Sequence, residues 1–313
     1  MTTSLAGPSV QPGISDGSGE LYREQGFLLL EDALTPDEVE VLRDETVRIC
    51  RGERGEIQGL ERASPDETDA DVLQRYLCIH FPHKLSQVVY DVLLHPVIVE
   101  GLKQAIGPNI KCMQSMLFIK ASGKPGQAWH QDEYFIPTRD RSLTGVWIAI
   151  DDATVENGCL WVIPGSHKHG ILWPQRAHND MRFDCAGEVY RHPYCDDDAV
   201  AVEMRAGSVL LFNGYLMHRS LPNRSQGAYR RSFSNHYMSA ESFLPWHQPK
   251  DKPVGMGRLD FRDIIMVAGR DPYGFKGVED VSKPHVRPSG EGGCGAEYRN
   301  LGIDVSNRFL GRE

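Results

Sequence analysis

The chain has 313 residues, 40% of them hydrophobic, with five Trp and a charged fraction of 25%, enough for one large core and incompatible with disorder over most of its length. A formal net charge of −9 lacks the basic footprint that nucleic acid or an anionic membrane surface requires. No apolar run approaches the roughly 20 residues that cross a bilayer, so neither nucleic acid nor a membrane is an expected partner.

Residues 1–19 are rich in Ser, Gly and Pro and show no basic segment leading into an apolar stretch; they read as a flexible lead-in and not as a secretion signal. Residues 20–313 are expected to form a single domain: a helical annex over about 20–110, a β core over about 111–245, and a packed irregular tail over 246–313. In the annex, Thr35-Pro36-Asp37-Glu38 has the form of a capping box with Pro at the first helical position. Val39, Leu42, Thr46 and Ile49 follow at helical spacing. A second helix pattern runs through Leu85, Val88, Val89 and Val92, and a third from His95-Pro96 through Ile98, Leu102 and Ile106 to Gly107-Pro108.

From Lys111 the period changes. Short β-type runs at 116–119, 146–150, 159–163, 200–204, 209–212 and 229–237 are separated by Gly, Pro, Asn and Asp turn signals. Short strands without intervening helices predict a sandwich or barrel, of which the jelly roll is one form. Residues 174–198 are polar with few β-runs and read as a long insertion or lid. The seven cysteines form no C-x-x-C pair, which argues for reduced thiols in a cytoplasmic protein.

The chemistry concentrates in Trp129-His130-Gln131-Asp132. In an extended segment residues i and i+2 share a face, so His130 and Asp132 can address one ion. His218, after the apolar strand 209–212 and the turn Asn213-Gly214, supplies a second imidazole. Two histidines and one carboxylate leave three positions open on Fe(II), the number needed for a bidentate keto acid and O2. A second H-x-D, His178-Asn179-Asp180, sits in the polar insertion without strand context and is the weaker pair. Downstream, Tyr229-Arg230-Arg231-Ser232 places Arg230 and Ser232 on one strand face and Arg231 on the other. An inward Arg fork with a neighbouring hydroxyl suits the distal carboxylate of 2-oxoglutarate.

These blocks, together with residues 146–150 and the run Asn157-Gly158-Cys159-Leu160-Trp161-Val162-Ile163-Pro164-Gly165-Ser166-His167-Lys168, resemble the phytanoyl-CoA dioxygenase family over roughly residues 20–245. The resemblance implies a double-stranded β-helix, mainly β with flanking N-terminal helices. It further implies Fe(II) on His130, Asp132 and His218, with Arg230 holding 2-oxoglutarate and Met116 and Trp147 lining the keto-acid pocket. Gln114, on the face of Met116, is a further pocket candidate. Some relatives reach the keto acid with a Lys in the segment matching 78–84; no Lys falls at that position here, and His80 or His83 is the replacement or else a structural histidine. His167, His169 and His236 read as structural, core or rim residues, and Trp161 and Trp173 as packing, with Trp173 close enough to the insertion to meet substrate. Tyr134, Phe135 and Arg139 are candidate substrate contacts.

The expected activity is oxidation of a small metabolite, with decarboxylation of the keto acid to succinate and CO2. Asp132 favours hydroxylation over halogenation, which needs that ligand position vacated; desaturation, cyclisation and epimerisation stay open. The competing readings are a cupin-type metalloenzyme without a keto acid, disfavoured by Arg230 and Trp147, and a non-catalytic sensor, whose metal triad would be broken.

Overall fold

The computed structural model describes residues 17–184, 187–242 and 264–287. Most of the expected lead-in, and residues 246–263 and 288–313 of the expected tail, lie outside that set. The annex contains α1 (Ser18–Gln25), α2 (Pro36–Cys50), α3 (Asp69–Gln74), α4 (Gln87–Leu93) and α5 (Pro96–Ala105). The capping box forms as the sequence predicts: the Glu38 amide donates to Thr35 Oγ1, and Glu38 Oε2 accepts from the Thr35 amide at 2.8 Å. Ser86 caps α4 by accepting from the Val89 amide.

The annex is not purely helical. Strands β1 (Phe27–Leu30) and β2 (Cys78–His80) lie between its helices, and both join the main sheet. At three and four residues they carry too little periodicity to be read from sequence; sheet partners far away in the chain define them. The core follows with β3 (Ile110–Lys120), β4 (Gln127–His130), a short helix α6 (Asp132–Phe135), β5 (Thr144–Ala149) and β6 (Leu160–Val162). A hairpin of β7 (Gln175–Arg176) and β8 (Glu188–Val189) lies in the insertion, and β9 (Val200–Val202), β10 (Val209–Asn213), β11 (His218–Ser220) and β12 (Arg230–Ser239) complete the core. In the tail, where irregular structure is expected, β13 (Ile265–Ala268) and β14 (His285–Arg287) pair with β3 and β2.

The main sheet runs β1-β10-β5-β12-β3-β2-β14, with β13 also on β3; the smaller sheet runs β4-β11-β6-β9. All these pairings are antiparallel, and the two sheets face each other as a jelly roll. The central strands are buried on both faces, hence their near-continuous apolar runs. On the outer face Val146, Ile148 and Leu211 pack with helix residues such as Leu42, Ile49 and Ile98. On the inner face Trp147, Leu210 and Phe212 meet Leu160 and Val162 of the smaller sheet. The insertion covers the outer face of the smaller sheet, where Val189 packs with Trp129, Met217, Trp173 and Tyr194.

Candidate active site

The two sheets enclose a cavity of about 450 Å³. Its polar wall begins where β4 ends. Gln131 keeps extended dihedrals (φ −129, ψ 125) for one residue beyond His130 before α6 starts at Asp132. The i, i+2 face therefore holds, although Asp132 sits in the first turn of a helix and not on a strand. His218, the first residue of β11, lies directly opposite His130 in register. His130 Nε2 and His218 Nε2 stand 3.6 and 3.5 Å from Asp132 Oδ1, and the donor atoms of all three residues lie within 4.8 Å of one another.

Backbone carbonyls select the tautomer. His130 Nδ1 donates to Ala128 O at 2.8 Å and His218 Nδ1 to Leu216 O at 2.9 Å. Both protons thus sit on Nδ1, and both Nε2 lone pairs face Asp132 Oδ1. Burial, with His218 nearby, lowers the His130 pKa to about 3, so it is a neutral donor. Burial alone would raise the Asp132 carboxyl, but His218 and His236 hold it well below the usual range. At His218 burial opposes protonation and Asp132 outweighs it, raising the pKa. Two neutral-capable imidazoles and an ionised carboxylate are a fitting donor set for a divalent ion such as Fe(II).

His236, expected as a core or rim residue, has a more specific place. Its Nε2 donates to Asp132 Oδ2 at 2.9 Å, leaving Oδ1 to face the two histidines. The signal was present in the sequence: strand parity puts 230, 232, 234 and 236 on one face, and the expectation stopped at 232.

Arg230 is fully buried on that face. Its Nη1 donates to Ser232 Oγ at 3.1 Å, its guanidinium lies 5.3 Å from the Trp147 ring centre, and its Nε has no partner. Burial lowers its pKa only to about 10, so it is a buried cation at neutral pH, and no carboxylate among the described residues pairs with it. Arg231 points the other way and grips Asp151 with Nε and Nη2, both at 2.8 Å. The donor-rich, anion-free surroundings of Arg230 match a ligand carboxylate. Met116, Gln114 and Trp147 line the same cavity, as do His80 and Phe135. Gly145 has no side chain because a Cβ there would meet the Phe212 ring at 2.3 Å; that ring packs against His218 with centroids 4.7 Å apart.

Other residues fall outside. Asp180 is bound to Arg182, and the His178–Asp180 pair belongs to no metal-ligand group among the described residues. His83 Nδ1 bonds Ser115 Oγ at 2.6 Å and His167 Nε2 bonds Arg23 O, both structural contacts. His169 lies beside Tyr194, and Trp161 and Trp173 pack in the outer cluster. Tyr134 and Arg139 do not line the cavity, whereas Lys120, Asp184 and Arg287, none of them expected, do. Gln131, between His130 and Asp132, turns outward: its Nε2 donates to Ile171 O and Tyr215 O, and its Oε1 accepts from the Trp173 amide.

The family model "Phytanoyl-CoA dioxygenase (PhyH)" matches residues 22–232. The chain belongs to the phytanoyl-CoA dioxygenase family. With that membership it is a 2-oxoglutarate-dependent non-haem iron oxygenase. It is 29% identical over 280 residues to the peroxisomal phytanoyl-CoA dioxygenase of Rattus norvegicus, covering 83% of this chain and 77% of that protein. With a phytanoyl-CoA dioxygenase of Arabidopsis thaliana it shares 40% identity over 131 residues, 41% of this chain and 44% of the relative's length. Among solved structures, the non-heme monooxygenase ThoJ superposes with a TM-score of 0.62 at 21% identity, covering 87% of this chain and 88% of that one. The α-ketoglutarate-dependent carbocyclase SnoK superposes with a TM-score of 0.56 at 24% identity, covering 76% and 89%. Both share the fold. The departure noted in the segment 78–84 persists, since Lys84 is bonded to Ser282 and Asp280 and is not among the residues that line the cavity.

Proposed function

We propose that His130, Asp132 and His218 hold Fe(II), that Arg230 with Ser232 binds the distal carboxylate of 2-oxoglutarate, and that the protein hydroxylates a C–H bond of a small metabolite. One observation carries this reading: a two-histidine, one-carboxylate group and a buried arginine with no anionic partner among the described residues open into the same cavity. Bound Fe(II), with 2-oxoglutarate and O2, supplies the oxidising power, releasing succinate and CO2. The protein's own residues set geometry and exclude water. His236 orients Asp132, the Ala128 and Leu216 carbonyls fix the imidazoles, and Trp147 covers the Arg230 guanidinium. Retention of Asp132 supports hydroxylation over halogenation.

Residues 20–313 are proposed to act as one unit, since strands from the annex, core and tail enter a single sheet. No helix among the described residues is long and apolar enough to cross a membrane. Its described cysteines are free, which supports a reducing compartment and a cytoplasmic location.

Anaerobic addition of Fe(II) and 2-oxoglutarate tests the site. A visible charge-transfer band is expected, lost in Asp132→Ala and kept in Asp180→Ala. Absence of the band in the unaltered protein overturns the assignment.

A further inference from the structure

The cavity is positive inside a protein that is negative overall. Its lining holds three cations, Lys120, Arg230 and Arg287, against two carboxylates, Asp132 and Asp184. Burial and the neighbouring Arg230 pull the Lys120 pKa well down. Yet its Nζ donates to Ser220 Oγ, Leu221 O and Gly158 O at 2.9, 2.8 and 3.3 Å, the full donor complement of an ammonium, and these oxygens favour the charged form. A divalent metal and a dianionic keto acid cancel each other. With both bound, the side chains that line the cavity still carry one more positive than negative charge.

The cations stand in two places. Lys120 and Arg230 are register partners on β3 and β12. Arg287 is on β14, paired through Cys78 of β2 to Phe118 of β3 and so to Ser232 of β12. That row places its backbone three strand spacings from β12, ~14 Å away. Arg287 therefore enters the cavity from the opposite flank. Its Nη2 donates to Asp184 Oδ2 at 2.8 Å. Asp184 comes from the insertion, itself tied to β4 by hydrogen bonds between its amide and Gly126 O and between the Gly126 amide and Arg182 O. The pair thus holds a planar guanidinium at the cavity wall, beside His80, whose ring stacks on His285 with centroids 4.5 Å apart. A fixed guanidinium presents parallel donors to a carboxylate.

From this arrangement we propose that Arg287, oriented by Asp184, anchors a carboxylate of the primary substrate, so that the molecule oxidised is a small organic acid. The proposal rests on the oxygenase reading above and deepens it. A monoanionic substrate neutralises the excess charge and is fixed at the end of the cavity away from Arg230.

The test uses the full chain with Fe(II) and saturating 2-oxoglutarate under anaerobic conditions, so that the Arg230 subsite is filled. Matched probes are titrated, hexanoate against hexanamide and phenylacetate against phenylacetamide, and read by perturbation of the charge-transfer band and by Tm. The acids are expected to bind at least tenfold tighter than their amides. Arg287→Gln abolishes that preference and Arg287→Lys retains part of it. Because Arg287→Gln removes the ion pair with Asp184, the double variant Asp184→Asn/Arg287→Gln repeats the measurement with that carboxylate neutralised as well. Acids no tighter than amides, binding by neither, or a preference that survives the double variant overturns the anchor alone. Absence of the band in the unaltered protein overturns the oxygenase reading and the anchor with it.

Discussion

His236 and Arg231 show how much one step along a strand matters. Arg230, Ser234 and His236 of β12 line the cavity, with Ser232 bonded to Arg230 on the same strand face, while Arg231 turns to the other side and binds Asp151. Arg230→Lys replaces a planar fork by a point charge; a rise of at least tenfold in the KM for 2-oxoglutarate is expected in succinate-release assays. Arg231→Lys loses the two-nitrogen grip on Asp151, so it lowers Tm and leaves that KM unchanged. His236→Ala frees Asp132 Oδ2. Loss of such an outer partner costs ~10–100-fold in metal affinity, measurable by Fe(II) titration, and His236→Gln, which keeps a donor, restores part of it. The shared faces of His130 with Asp132 and of Arg230 with Ser232 were legible because H-x-D and R-x-S each encode a face by parity. His236 was equally encoded and was missed because its role depends on Asp132, 104 residues away in the chain. Arg287 and Asp184 were not legible at all: neither carries a local motif, and Arg287 reaches the cavity through the pairing of β14 with β2 and Asp184 through the hydrogen bonds of its segment with Gly126.

Among the elements, those with local signals were read correctly and those defined by partners were not. The annex helices announce themselves through Thr35-Pro36, His95-Pro96 and an apolar period near 3.6. Thr35→Ala removes the cap oxygen of α2 and should lower stability by about 1 kcal/mol, seen as a shift in denaturant midpoint at constant m, with no change in the spectrum of the loaded site. β1, β2 and β14 are three or four residues long; β1 and β2 exist because the longer β10 and β3 offer their edges, and β14 because β2 does in turn. Residues 174–198 read as a polar insertion or lid, yet Val189 and Tyr194, with Trp173 just before them, pack on the smaller sheet. Those apolar residues are spaced too irregularly to show a period.

At the scale of the molecule, the histidines proposed to hold the metal and the arginine proposed to hold the keto acid belong to different layers. His130 and His218 come with the smaller sheet, Arg230 with the larger. A keto acid bound to both therefore bridges the sandwich. Ligand binding to the native state stabilises it by ~2.7 kcal/mol at a hundredfold excess over Kd. Fe(II) and 2-oxoglutarate together should raise Tm by more than the sum of their separate effects, and Asp132→Ala should abolish that synergy in differential scanning calorimetry.

The tripeptide His130-Gln131-Asp132 works in two directions at once. Its odd and even members face opposite sides, so the same three residues that address the ion inward rivet residues 171, 173 and 215 outward. Anyone grafting a new insertion onto this scaffold to change what it accepts inherits that coupling. A replacement for residues 171–198 that offers no carbonyl and amide to Gln131 will loosen the tripeptide from outside, and retuned selectivity will arrive with a weakened grip on the metal.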